Sequence, residues 1–201
     1  MLSQKKLLYI GVACISSISS VLIGSCFNSP TQFILAQTNS ACGNTKIAPE
    51  TTNSGSSLSA PDKEFMTKVA RSNRIGIATS DLALQKSVNQ TVTHFAKQMK
   101  RDYEDWKKQL EKIARNKRFN LPKDFGPDNE SFLKTLKSLD DDKKFNRAYM
   151  RVQVQIHSNI QSEFQNYCQQ GQDQALKGFA EKILPVVEKN RQDAGRKGKQ
   201  F

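Results

Sequence analysis

Histidine is scarce in this chain: two among 201 residues, with no Glu-x-x-His anywhere. That shortage bears on chemistry. A carboxylate-bridged di-metal centre in a helical bundle draws glutamates from two helices and a Glu-x-x-His pair from each of the other two, so the ligand count argues against one. Gly-x-Ser-x-Gly, a phosphate-cradling glycine loop and Cys-x-x-Cys are also missing, which removes the usual signatures of hydrolases, nucleotide binders and thiol redox enzymes. The acidic run Asp140 to Asp142 lacks the glycine and terminal glutamate of a calcium loop and reads as a helix N-cap. No stretch alternates in the manner of a strand, and no internal repeat or low-complexity tract is present. Proline and glycine are absent throughout 140–170.

What is present begins with an address. The start, MLSQKKLLYIGVACISSISSVLIGSC, carries a basic pair and then an apolar run broken by serines, the pattern of a secretory signal over 1–25. A permanent anchor helix is the alternative, but the run is weakly apolar for a spanning segment. Ile23-Gly24-Ser25-Cys26 is similar to a loose bacterial lipobox, which would make Cys26 a lipidated N-terminus. Cleavage after Ala36 is the rival route. Residues 26–61, rich in Ser, Thr, Asn, Gly and Pro, read as a disordered tether. Lys and Arg number 31 against 19 Asp and Glu, a formal charge of +12. A leader ending at Ser25 would remove Lys5 and Lys6 and no acid, so the excess survives. Charge of that sign favours an anionic envelope or membrane surface. An exported chain rarely meets nucleic acid, which is not expected as a partner.

The domain is expected over 62–194 as an all-α fold. Asp62 is the expected N-cap of a first helix with Phe65, Val69, Gly76, Ser80 and Leu84 on one face. The small residues would let a neighbour approach closely. The second helix is cleaner. Val92, Ala96, Met99, Tyr103, Trp106, Leu110 and Ile113 alternate steps of four and three, as in bundle helices packed at a shallow angle. Its outer face mixes signs, with Glu104–Lys108 and Glu111–Arg115 as expected pairs. After Leu121-Pro122 and Gly126-Pro127, the residues Phe132, Leu133, Leu136 and Leu139 mark one or two helical turns capping an end of the bundle. The third long helix places Phe145, Tyr149, Val152, Ile156, Ile160, Phe164 and Tyr167 on one side, with Gly171 as its left-handed stop. Asp173 caps a last helix that Pro185 should kink, fraying from Lys189 into a basic tail, 195–201. The sum is a ferritin-like four-helix bundle with a short extra helix between the second and third.

Few residues offer chemistry. His157 with Asp102 is a weak metal candidate, and Glu163, lying inside the apolar stripe, is another. Against that, a histidine at a core edge is more often hydrogen-bonded to a neighbouring helix, and Glu163 can reach water or pair with Asp102, Tyr103 or a lysine. His94 should face solvent. Cys42 and Cys168 remain after either processing route, an even pair suited to a disulfide in an oxidising compartment. Two unpaired thiols are the alternative. Neither a catalytic residue nor a cofactor is expected.

The strings DKEFMTKVA, FAKQMKRDY, FNRAYMRVQVQIH and FAEKILP, with Leu82-Ala83, Leu121-Pro122 and Glu163-Phe164 between them, resemble the domain of unknown function 4142 family. The resemblance covers about 62–194. It implies a ferritin-like fold, export and no established activity. It also implies a glutamate where Gly76 stands, and histidines where Tyr103 and Asn190 stand, so that only Asp102 and His157 of the family's polar positions are kept. Two functions follow as expectations. The first is a non-enzymatic module tethered to the envelope that binds a protein partner or an anionic surface. The alternative is a metal- or oxidant-handling stress protein with a degenerate site.

Overall fold

The computed structural model describes Cys42 and residues 57–201, which lie within one compact unit beginning at Thr38. The expected signal segment, the lipidation of Cys26 and nearly all of the expected tether fall outside the described residues. Among the described residues there are five helices and no strand: α1 (Ala60–Lys86), α2 (Gln90–Asn116), α3 (Pro127–Lys137), α4 (Asp142–Gln170) and α5 (Gln174–Gly198). None is long and apolar enough to cross a membrane.

Each long helix starts on a side-chain cap that satisfies otherwise orphaned backbone N–H groups. Asn89 accepts from the N–H groups of Thr91 and Val92, Asp141 from that of Lys144, and Asp173 from that of Leu176. α1 differs from expectation. Its N-cap is Ser59, with Asp62 at the third helical position completing a capping box. Asp62 is needed inside the fold. Its carboxylate accepts from the Tyr167 hydroxyl at 2.6 Å and from the backbone N–H of Gln172 at 3.3 Å, joining the start of α1 to the end of α4.

α1 packs beside α2 and α4, and α5 closes the ring against both of them. Three-residue turns make α1–α2 and α4–α5 antiparallel hairpins. α2 ends near the start of α5, where Lys117 pairs with Asp173. α4 begins near the end of α1, where the Ser87 hydroxyl donates to Asn146 Oδ1 at 2.6 Å. The connection between α2 and α4 therefore travels from one end of the bundle to the other. It runs along α1, held by Arg71 to Asp124 (2.8 Å), by Arg74 Nε to the Pro122 carbonyl (3.2 Å) and by Lys86 Nζ to the Lys137 carbonyl (3.1 Å). α3 belongs to this crossover. It lies against α1 and α4 instead of capping an end, and it buries Leu136 completely.

Several expectations change at this level. On α2, Phe95 and Ala114 join the core while Ile113 is only half-buried. The salt bridges on its outer face are Lys100–Glu104 and Lys107–Glu111, not Glu104–Lys108 and Glu111–Arg115. Gly171 ends α4 in an extended conformation (φ −65°, ψ 148°), not a left-handed one. A side chain there would collide with the Tyr167 ring, and that contact is what demands glycine. α5 does not fray from Lys189. It continues to Gly198, because Asn190 and Ala194 are buried, Asp193 joins Lys189 (2.8 Å) to Arg196 (2.7 Å), and Phe201 packs on the core. Cys42 and Cys168 are joined by a disulfide, their Cα atoms 4.6 Å apart across a sequence separation of 126. In chain-entropy terms a loop of that length disfavours the unfolded state by about 5 kcal/mol.

α1 and α2 come close together at Gly76. The Tyr103 ring lies against its bare backbone, and a Cβ built there would overlap the ring carbons. Gly76→Ala should therefore destabilise the fold by about 1–3 kcal/mol through overpacking, although alanine is favoured over glycine in a helix by about 1 kcal/mol. Adding Tyr103→Leu should recover part of the overpacking loss. Urea denaturation of the single and double variants measures both, and a more stable Gly76→Ala would show that the ring does not rest on α1.

Candidate functional site

The centre of the bundle is polar and closed. His157 sits on α4 with no solvent exposure. Its Nδ1 lies 2.8 Å from the Gln153 carbonyl oxygen one turn earlier. A carbonyl only accepts, so Nδ1 carries the proton and Nε2 the lone pair. The Tyr103 hydroxyl stands beside the ring, 3.3 Å from Nδ1 and 3.4 Å from Nε2. That hydroxyl donates to Gln153 Oε1 at 3.2 Å. Gln153 Nε2 donates to Thr79 Oγ1 (3.0 Å), and Thr79 Oγ1 donates to the Ile75 carbonyl (2.8 Å). The chain of bonds thus crosses from α2 through α4 to α1. Trp106 and Tyr103 flank the imidazole, with ring centroids 6.3 and 5.5 Å away.

Burial governs the protonation of these groups. It lowers the His157 pKa to about 4, against a partly opposing hydrogen bond to the Gln153 carbonyl and a further lowering by Arg191. The same burial raises Tyr103 well above an ordinary phenol, so it stays neutral. At the end of the bundle, burial pushes Asp62 up. Hydrogen bonds from Ser59, Tyr167 and the backbone N–H of Gln172 outweigh it and hold the carboxyl at about 2.

The structure does not assemble the metal candidates His157, Asp102 and Glu163 into one site. Asp102 is half-buried and accepts from Asn190 Nδ2 at 2.9 Å, and Asn190 Oδ1 accepts from Gln98 Nε2 at 3.1 Å. Glu163, whose side chain is 29% exposed, pairs with Lys68 of α1 at 3.0 Å. Of the partners weighed for it, the lysine and partial contact with water are what the fold provides. Among the described residues no three His, Cys, Asp or Glu side chains come together as a cation site. His94 is exposed. Two of the three positions at which the resemblance implies other residues, Gly76 and Tyr103, do meet, whereas Asn190 bonds to Asp102 and Gln98. The Tyr103 ring covers Gly76 and its hydroxyl reaches His157, so the tyrosine fills the space between α1 and α4.

Gln153 and Thr79 were not singled out from the sequence. Gln153 had a signal: it stands four residues before His157 and four after Tyr149, a polar residue on the inward face. Asn73 also escaped notice, at the gap between Val69 and Gly76 on the α1 stripe. It is fully buried, and neither amide atom has a hydrogen-bond partner.

Fold and site together define a helical-bundle domain whose histidine is sealed in a hydrogen-bonded core. The chain belongs to the family described as Domain of unknown function (DUF4142), whose model matches residues 48–196. A solved structure similar in fold is the crystal structure of a DUF305 fragment from Deinococcus radiodurans, with a TM-score of 0.66 at 11% identity over 73% of this chain and 100% of that one. No curated protein matches.

The depressed histidine sets a pH window. Between about 6.5 and 4 the unfolded chain takes up a proton at His157 that the native state refuses, so stability falls as pH falls through that range. The loss should total about 3 kcal/mol, at 1.36 kcal/mol per pKa unit. Asp62 acts lower, its contribution disappearing from 3.8 down to about 2. Urea denaturation of wild type and His157→Gln at stepped pH should show the upper slope in wild type alone. Equal slopes would assign the acid sensitivity to other groups.

Proposed function

We propose that the chain is an exported, non-enzymatic module of ferritin-like bundle topology that docks on an anionic surface of the cell envelope. The single long crossover between α2 and α4 supports the ferritin-like topology. The disulfide between Cys42 and Cys168 supports an oxidising compartment, and the filled centre around Tyr103 leaves its histidine unreachable to substrate.

The observation that carries the docking is a line of cations on α2. Lys97, Arg101, Lys108, Lys112 and Arg115 are all exposed, and at about 100° per residue they fall within one narrow sector of the helix. They extend about 27 Å along its axis. None of the five forms a salt bridge among the described residues, because Lys100 and Lys107 take Glu104 and Glu111 instead. An unneutralised line of this kind attracts anionic headgroups, each cation contributing about 1 kcal/mol near such a surface. Cys26, if lipidated, would hold the module there.

Membrane fractionation tests the tether, with Cys26→Ala expected to move the protein from the membrane to the soluble fraction. Vesicle co-sedimentation of the Cys26→Ala chain tests the surface. Binding should require anionic lipid, weaken with added salt, and disappear when Lys97, Arg101, Lys108 and Lys112 are changed to Glu. Equal binding to neutral vesicles, or binding indifferent to the charge reversal, would overturn the α2 assignment.

A further inference from the structure

A cleft of about 580 Å³ opens between α1, the last turns of α2 and the loop that follows, away from the histidine core. Its volume lies in the range of sites that take small ligands, about 300–1,000 Å³. Half-buried Phe119 and Leu121 supply its apolar wall, with Leu110 and Ala114 buried behind them. Around them stand Arg74, Lys107, Arg115 and Lys123, against one acid, Glu111. Glu111 is already paired with Lys107 at 3.7 Å, whereas Arg74, Arg115 and Lys123 form no salt bridge among the described residues. The loop wall is fixed to α1 through Arg74 Nε and the Pro122 carbonyl.

Asn73 is also part of the lining. It is 0% exposed, and both its Nδ2 and its Oδ1 lack a partner. Leaving such a buried amide unmet costs about 1–3 kcal/mol for each group, and an apolar residue of similar shape would avoid that cost. A ligand that meets both atoms would remove that cost. The ligand must offer a donor and an acceptor side by side. A carboxylate or phosphate offers acceptors alone, and a hydroxyl offers one atom. A peptide group offers N–H and C=O together.

We propose that this cleft binds a short acidic peptide segment. Its backbone amide pairs with Asn73, an aliphatic side chain rests on Phe119 and Leu121, and its carboxylate is held by Arg74, Arg115 and Lys123. Asn73 has no contact with bulk water as it stands, so engagement includes a shift of the side chains over it. This site is separate from the outer cation line of α2 except at Arg115, and the vesicle experiment and the one below fail independently.

The test follows the Asn73 side-chain amide resonances of the full-length protein during titration with N-acetyl-leucyl-glutamate. N-acetyl-leucyl-lysine amide and inorganic phosphate serve as comparisons. The acidic peptide should shift the Asn73 resonances saturably, and the basic peptide and phosphate should not. Lys123→Glu, at an exposed position, should weaken binding about tenfold or more through loss and reversal of a charge-assisted contact. Asn73→Leu should abolish binding, read by calorimetry, while raising the melting temperature. Should Asn73→Leu fail to fold, Lys123→Glu still decides. No saturable shift, an equal response to the basic peptide, or undiminished binding in Lys123→Glu would each overturn the assignment. The same shift with phosphate alone would reduce the site to an unspecific anion pocket and overturn it as well.

Discussion

The Tyr103 ring resting on the bare backbone of Gly76 is the contact on which the interior depends. It brings α1 and α2 close enough for the hydroxyl of a side chain on α2 to reach α4, where it meets both Gln153 and His157. Protein interiors are packed nearly as densely as organic crystals, so a ring in that position occupies the volume that a ligand would need. The polar groups around it are accordingly satisfied by one another, and the histidine, which looks chemical in the sequence, is a structural donor.

A second polar assembly does mechanical work at one end. Asp62 accepts from Tyr167 and from the α4–α5 turn while completing the cap of α1, and Lys117 meets Asp173 beside it. The disulfide of Cys168 fastens residue 42 close to the same end of α4. Four helix termini and Cys42 are thus gathered by a single buried carboxylate, one ion pair and one covalent link. Removing a charge of this kind from a sealed position leaves several donors unmet, so the assembly resists piecemeal change.

Much of this was legible beforehand because helical periodicity is a local signal. The stripes on α2 and α4, the caps within Asp140 to Asp142 and at Asp173, and the small residues at Gly76 and Ser80 all follow from the local sequence. Errors arose where a distant partner decides the outcome. Asp62 reads as a cap because capping is local, whereas its bond to Tyr167 spans 105 residues. Gly171 reads as a left-handed stop, but the Tyr167 ring beside it is the reason for glycine. The ion pairs on α2 slipped by one helical turn, since Glu104 and Glu111 each have a basic residue four positions away on either side. Asn73 was invisible for a related reason. A sequence shows that a polar residue interrupts a stripe, but only the packed structure shows that nothing answers it.

The protonation state of the His157 imidazole tests the closed centre most directly. A long-range proton–nitrogen correlation spectrum at neutral pH, recorded before and after adding zinc, reads which ring nitrogen carries the proton and whether either nitrogen can be reached. A neutral ring with its proton on Nδ1, unmoved by zinc, is the predicted result. A proton on Nε2, or a ring signal displaced by the metal, would contradict a sealed core and return the histidine to the list of functional groups.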